Sequence, residues 1–227
     1  MKQSLSTGKN ALDGRAPELT RERLLDEAEI LFAQKGYHAV SVREITQAAD
    51  CNLAAVNYHF GSKHNLYLEV FRSRWLPRAE RLYRRVVRAI SKGDAASPAV
   101  VVEALARAFL EGFQSDGERS RHLQLISREL AQPSEAFRLV AGQAFRPLFE
   151  ILVNSLRSGL SNYLSDEQLA LNVFGVFAIV LYFNFARPMI TSFTGCIYDD
   201  AFKSRLVDHI VRFALRGLDG NRKEGIT

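Results

Sequence analysis

From about Thr20 onward, apolar residues recur at helical spacing almost without interruption, and no alternating apolar/polar run bounded by hairpin signals breaks the pattern. A chain written this way has few strand-forming alternatives. It is predicted to be all-α, with about nine helices. No repeat or low-complexity tract is present, which excludes a solenoid.

The N-terminal third has the densest local signals. Residues 1–19 mix Ser, Thr, Gly, Lys and Asn without period and are expected to form a flexible arm. In the first helix, from about Thr20, Leu24, Ala28, Leu31 and Phe32 fall on one face, and Gly36 stops it. Ser41 and Glu44 have the spacing of a capping box, so the second helix runs from about Val42 to Ala49. Asp50-Cys51-Asn52 is short enough to turn the chain sharply, and Asn52 is a good N-cap for a third helix through about Tyr58. Gly61 and Ser62 break and recap the chain for a long helix from about Lys63 to Ile90, closed by the loop Ser91 to Pro98. Further breaks at Gln114–Gly117, around Pro133, at Asn162–Ser165 and at Thr194–Asp199 leave five more helical segments.

Composition excludes several classes. Met1 to Thr20 is polar, with no apolar signal core, which predicts a cytoplasmic protein. The apolar run Val173 to Phe183 is bounded by Asn172 and Asn184 and falls short of the ~20 residues of a spanning helix, so it reads as buried, and no membrane role is expected. Cys51 and Cys196 stand alone, without Cys-x-x-Cys or Cys/His spacing; no metal and no cofactor is expected. The net charge of +5 does not sit on the presumed reading segment, because residues 1–65 hold eight basic and eight acidic groups. The excess lies in residues 66–92, with eight basic groups against two acidic.

Two short helices joined by a tight turn can set the second in a DNA major groove with its first residues at the base edges. The stretch from Ile45 to Leu66, and above all Tyr58-His59-Phe60-Gly61-Ser62-Lys63 followed by Leu66, resembles the TetR family of bacterial helix-turn-helix regulators. The likeness extends back through Leu24, Ala28, Phe32, Gly36-Tyr37 and the opening Ser41-Val42-Arg43-Glu44-Ile45. It implies a DNA-binding domain over residues 20–66 and a ligand-binding and dimerisation domain over 67–227. The expected function is a ligand-responsive repressor that leaves a palindromic operator when a small-molecule inducer binds.

The resemblance assigns Lys63 to a DNA phosphate, aided by the helix start it occupies. Tyr58 and His59 would position the helix on the backbone, or pack. Asn57 can pair with adenine, or bond a phosphate or water; Leu53, Ala54 and Ala55 can meet thymine methyls. Ser41, Arg43 and Asn52 complete the expected DNA-binding set. Departures from the family pattern limit what carries over. Asp50 stands where glycine is common but tolerates left-handed backbone. Cys51 stands where valine is common and packs as a small hydrophobe, a redox role being the alternative. Asn57 stands where tyrosine is frequent, so base contacts cannot be copied from relatives.

Arg74, Arg78, Arg81, Arg85 and Arg88 recur at helical intervals, flanked by Arg72 and Arg84. The stripe reads as an anion or acidic-partner site, as auxiliary attraction to DNA, or as a solvated face. Aromatics fill the larger domain, and a ligand pocket is expected near Trp75, Arg78, Phe109, Phe113, Phe149, Phe177 and Tyr182. The helices from about Glu167 to Met189 and from about Asp199 to Gly217 are the expected dimer interface. Two other readings compete. A helical architectural protein would bind DNA nonspecifically through the stripe. An enzyme would need partners for His64, His122 and His209, which no nucleophile or metal-ligand spacing supplies.

Overall fold

The computed structural model describes residues 15–91, 97–159 and 164–220. In chain order the helices are α1 (Arg15–Lys35), α2 (Val42–Ala48), α3 (Ala54–Phe60) and α4 (Lys63–Val70), the last followed through a π turn at Phe71–Trp75 by α5 (Leu76–Ile90). Then come α6 (Pro98–Glu111), α7 (Asp116–Ala131) and α8 (Glu135–Val140), with a second π turn at Ala141–Phe145 before α9 (Arg146–Gly159). The chain ends in α10 (Asp166–Phe185), α11 (Arg187–Thr194) and α12 (Asp200–Gly220). Counting segments joined by a π turn as one gives ten helices among the described residues, with no strand. The helix beyond the expected nine is α11. Pro188 in its first turn lacks an amide to continue the ladder, so α10 ends at Phe185 with Ala186 as its cap and the chain restarts.

The first helix starts at Arg15, so residues 15–19 are helical rather than part of an arm; residues 1–14 lie outside the described residues, as do 92–96 of the expected loop and 160–163 of the expected break. A true capping box occurs at Ser165, whose hydroxyl accepts from the Gln168 amide while the Gln168 side chain accepts from the Ser165 amide.

Two compact units emerge. One comprises the chain up to Pro77 together with Gly117–Val140; the other comprises Arg78–Asp116 and the chain from Ala141 onward. The division therefore differs from a single boundary at 66/67, because α7 and α8 join the N-terminal helices. The physical reason lies in a set of polar and aromatic locks. The buried Glu129 carboxylate accepts from the Tyr67 hydroxyl at 2.6 Å, the Ser134 hydroxyl at 2.7 Å and the Ser134 and Phe137 amides at 3.0 Å each. Arg128 donates to the Ala33 and Gln34 carbonyls at 3.2 and 2.8 Å, placing a cation at the negative end of α1. Gly36, at φ +82°, closes that helix, and a Cβ there would lie 3.0 Å from the Arg128 guanidinium. Trp75 donates its indole N–H to the His122 carbonyl at 2.9 Å and stacks on the His122 ring at 4.2 Å. Leu24, Leu25, Ala28 and Phe32 of α1 are fully buried among these partners.

Burial, and then the bond to Glu129, push the Tyr67 phenol above the ordinary tyrosine range. Below about pH 10 the unfolded phenol is protonated too, and the stabilisation is fully present. Above it the unfolded chain ionises while the folded phenol does not, so stability falls by about 1.4 kcal/mol per pH unit. Denaturant titrations at about pH 8 and about pH 11 should show Tyr67→Phe losing less stability across that interval than the parent. An equal loss would show that Tyr67 ionises freely in the fold.

In the second unit α6 is the central helix, packed by α9, α10 and α12. Ser97 caps it and Pro98 opens it. Val101, Val102, Leu105, Phe109 and Leu110 are buried, and Ala104, Ala106 and Ala108 let neighbours approach closely.

Candidate nucleic-acid interface

The second helix begins at Ser41, whose hydroxyl accepts from the Glu44 amide at 3.1 Å. The Glu44 carboxylate takes the Lys35 ammonium at 2.5 Å, and this pair first, with the Ser41 backbone amide behind it, holds that carboxyl below its ordinary range. A charged donor offers the carboxylate more than a neutral amide does. The helix ends at a tight turn in which the Asp50 amide donates to the Gln47 carbonyl and the Cys51 amide to the Thr46 carbonyl. Asp50 adopts φ +49°, alone among described residues other than glycine, as its tolerance of left-handed backbone allows. The Cys51 thiol is half-buried and points at the Thr46 carbonyl at 3.6 Å; burial raises its pKa, which suits packing better than redox chemistry.

Beyond the turn, Asn52 does not act as the side-chain cap expected of it. The cap position falls to Leu53, already helical in backbone and without a side-chain cap bond, and the Asn52 carbonyl accepts from the Ala55 amide. Asn52 is thereby left exposed. In α3, Val56 and Phe60 are buried, while Leu53, Ala54, Asn57 and Tyr58 are exposed. Residues 53 and 57, and 54 and 58, stand four apart, so the exposed side chains form one face. Leu53 is 58% exposed and Tyr58 78%, so neither belongs to the core. His59 is half-buried between the Tyr58 and Phe60 rings, at 4.8 and 6.1 Å, and Ala55 is half-buried as well.

The third helix stops at Gly61, where φ +77° calls for glycine. Ser62 caps α4 by accepting from the Asn65 amide at 3.1 Å, and the Asn65 side chain donates back to the Phe60 carbonyl at 3.0 Å. This locked corner fixes Lys63 at the first position of α4. Its ammonium lies 4.3 Å from the centroid of the Tyr37 ring, and partial burial lowers its pKa. Exposed Arg43 and, one turn later, exposed Gln47 lie on α2. Sequence reasoning misses Gln47, although its four-residue spacing from Arg43 is visible in the sequence; Tyr37 enters it only as part of the motif.

The arginines of the expected stripe do not share one environment. Arg74 is tied to Glu22 at 2.7 Å and to Asp26 at 2.9 Å, inside the first unit. Arg78 is buried in the second unit, Arg84 pairs with Glu80 at 2.7 Å, and Arg85 and Arg88 are exposed. The π turn at Phe71–Trp75 shifts the helical phase on which an even row depends. The expected ligand set is also distributed. Trp75 belongs to the core of the first unit, its indole N–H spent on His122. In the second unit Phe109 meets Phe177 edge-on at 5.5 Å, Phe149 lies 4.7 Å from Phe174, Phe113 is half-buried and Tyr182 is exposed.

The run read as a buried helix is part of α10, which is long and apolar enough to cross a membrane yet only 28% buried in its most apolar stretch. Leu169, Val173, Val176 and Val180 face the core, whereas Leu171, Phe174, Tyr182 and Phe185 are exposed along the other side.

A short helix beyond a tight turn, with its apolar side buried and small, amide and aromatic groups outward, defines a helix-turn-helix DNA-binding protein. Residues 24–70 match the family model of bacterial regulatory proteins of the tetR family, and residues 98–218 match that of the C-terminal domain of the HTH-type transcriptional dual regulator CecR. The chain belongs to the TetR family of transcriptional regulators, with a CecR-type C-terminal domain. It is 26% identical over 203 residues to CecR of Shigella flexneri, covering 86% of this chain and 88% of that one. Over 59 residues it is 36% identical to the transcriptional repressor AcnR of Corynebacterium glutamicum, or 26% of this chain and 31% of AcnR. Among solved structures it is similar to PfmR, a TetR-family regulator from Thermus thermophilus, with a TM-score of 0.58, 26% identity and coverage of 85% and 95%.

Proposed function

We propose that this protein is a homodimeric, ligand-released repressor that reads a palindromic operator with α3. The observation that carries the reading is the exposed face Leu53, Ala54, Asn57 and Tyr58, presented beyond a turn whose geometry is fully satisfied. The methyl groups of Leu53 and Ala54 suit thymine, the Asn57 amide suits adenine, and Lys63 at the start of α4 suits a phosphate. Arg43 and Gln47 extend the surface from α2, while Ser41 serves as a cap and Asn52 borders the face. The reading element is short and nearly neutral, so specificity comes from this face and not from bulk charge.

Occupying an operator blocks a promoter sterically, which supports repression as the basic mode; the named relatives include both a repressor and a dual regulator. The inducer would bind the helical second unit, whose apolar and aromatic interior favours an apolar ligand. Ligand would favour a dimer whose half-site spacing is wrong, and by linkage DNA and ligand would weaken each other's binding. The exposed apolar side of α10 supports dimerisation through α10 and α12. The TetR family is not an enzyme class, and we read this chain as a regulator acting on DNA in the cytoplasm.

Selection from a random duplex library with the purified protein tests this reading. A dyad-symmetric consensus is expected, its half-sites about one helical turn apart or a little more. Recovery of no consensus at moderate salt would overturn it. On the recovered duplex, Asn57→Ala should relax preference at one position per half-site, at about 1–3 kcal/mol.

A further inference from the structure

A lysine at the start of a helix samples many rotamers, and holding it against a phosphate costs binding free energy unless something fixes it beforehand. Lys63 has such a support. The Tyr37 ring lies under its ammonium at 4.3 Å. A tyrosine face attracts an ammonium without using any of its three N–H donors, so a phosphate can be bound at the same time.

The ring itself is held. Tyr37 is half-buried, 5.0 Å from the Tyr67 ring and 6.1 Å from Phe32, and Tyr67 meets Phe32 edge-on at 5.0 Å. The Tyr67 hydroxyl ends on the buried Glu129 carboxylate at 2.6 Å. His64, the neighbour of Lys63, approaches Tyr37 edge-on at 6.4 Å, and its Nε2 lies 3.1 Å from Glu135 Oε2. The first turn of α4 is therefore steadied from two sides by residues of α7 and α8, more than sixty positions away in sequence.

We propose that Tyr37 is the positioning residue of Lys63, its ring, anchored through Tyr67 to Glu129, presetting the ammonium for a DNA phosphate. The proposal rests on the reading of Lys63 as a phosphate contact.

The test is a gel-shift titration of the full-length protein across a salt series, on the duplex recovered by library selection. Lys63→Gln should weaken binding and reduce the logarithmic salt slope by about two per dimer. Tyr37→Leu should weaken binding by about tenfold, from two symmetric sites, while Tyr37→Phe keeps the ring face and stays near the parent. In the Lys63→Gln background, Tyr37→Leu should change affinity by less than about twofold. Tyr67→Phe, which frees the anchor but keeps both rings, should cost about two- to threefold, and again nothing once Lys63 is gone. It covers the case in which Tyr37→Leu fails to fold. Losses that persist at full size in the Lys63→Gln background, or unchanged binding by Tyr37→Leu, overturn the proposal. If Lys63→Gln itself alters neither affinity nor slope, the phosphate reading falls and takes the proposal with it.

Discussion

Glu129→Ala is expected to destabilise the DNA-binding unit by about 2–4 kcal/mol, a large share of the ~5–15 kcal/mol by which a domain of this size is stable. The carboxylate is buried and accepts four hydrogen bonds, from Tyr67, from the Ser134 hydroxyl and amide, and from the Phe137 amide. Alanine leaves the buried Tyr67 hydroxyl without its acceptor, at about 1–3 kcal/mol, and takes from the part-buried Ser134 and Phe137 amides the acceptor that ties α8 to α7. A cavity adds to that loss. Glu129→Gln keeps acceptor oxygen but turns an amide donor toward donors, so it should fall between parent and alanine. Urea unfolding followed by far-ultraviolet circular dichroism measures the effect. A loss below about 1 kcal/mol would mean that α7 and α8 are not integral to the unit.

The same residue shows where sequence reading reaches its limit. Local chemistry was legible wherever partners lie within a few positions: Ser41 caps α2, Ser62 caps α4, Gly36 and Gly61 stop their helices, and Asp50 takes the left-handed turn. Competition among local partners was not legible. Glu44 takes Lys35 as its first partner ahead of the Ser41 amide, and Asn52 ceded the cap to an αR Leu53, because a charged partner and the preceding turn outweigh the usual preference. Long-range pairing left no trace in periodicity. Nothing in the spacing of Tyr67 or Glu129 announces that they meet across 62 positions, or that Arg74 turns to Glu22 and Asp26 rather than to solvent. The helical pattern also marks which residues are apolar without saying which apolar face is left uncovered. That is why the apolar run of α10 read as buried. Its two sides carry similar side chains, and only packing against α6 and α9 distinguishes them.

Phe174→Asp combined with Phe213→Asp should convert the protein to a monomer and lower operator affinity by about a hundredfold or more. Leu171 is 61% exposed, Phe174 59% and Phe213 60%, on the two long helices α10 and α12. Large apolar side chains left exposed on a 20-residue helix that is mostly apolar are what support the proposed dimer interface. Two carboxylates per protomer, four in the dimer, would then be forced into a desolvated seam without partners, at a cost of several kcal/mol. The fold of the protomer should survive, because both substituted positions already face outward. Two half-sites are read together only while the dimer holds, so DNA binding falls with it. Sedimentation velocity and gel shift on one preparation separate the two effects. Phe193→Asp is the internal comparison: that side chain is 84% exposed but lies on α11, outside the two long helices, and its replacement should leave the dimer intact. If the Phe174/Phe213 variant remains a dimer while Phe193→Asp dissociates it, the interface is built on α11, and α10 must be covered by something other than a second copy.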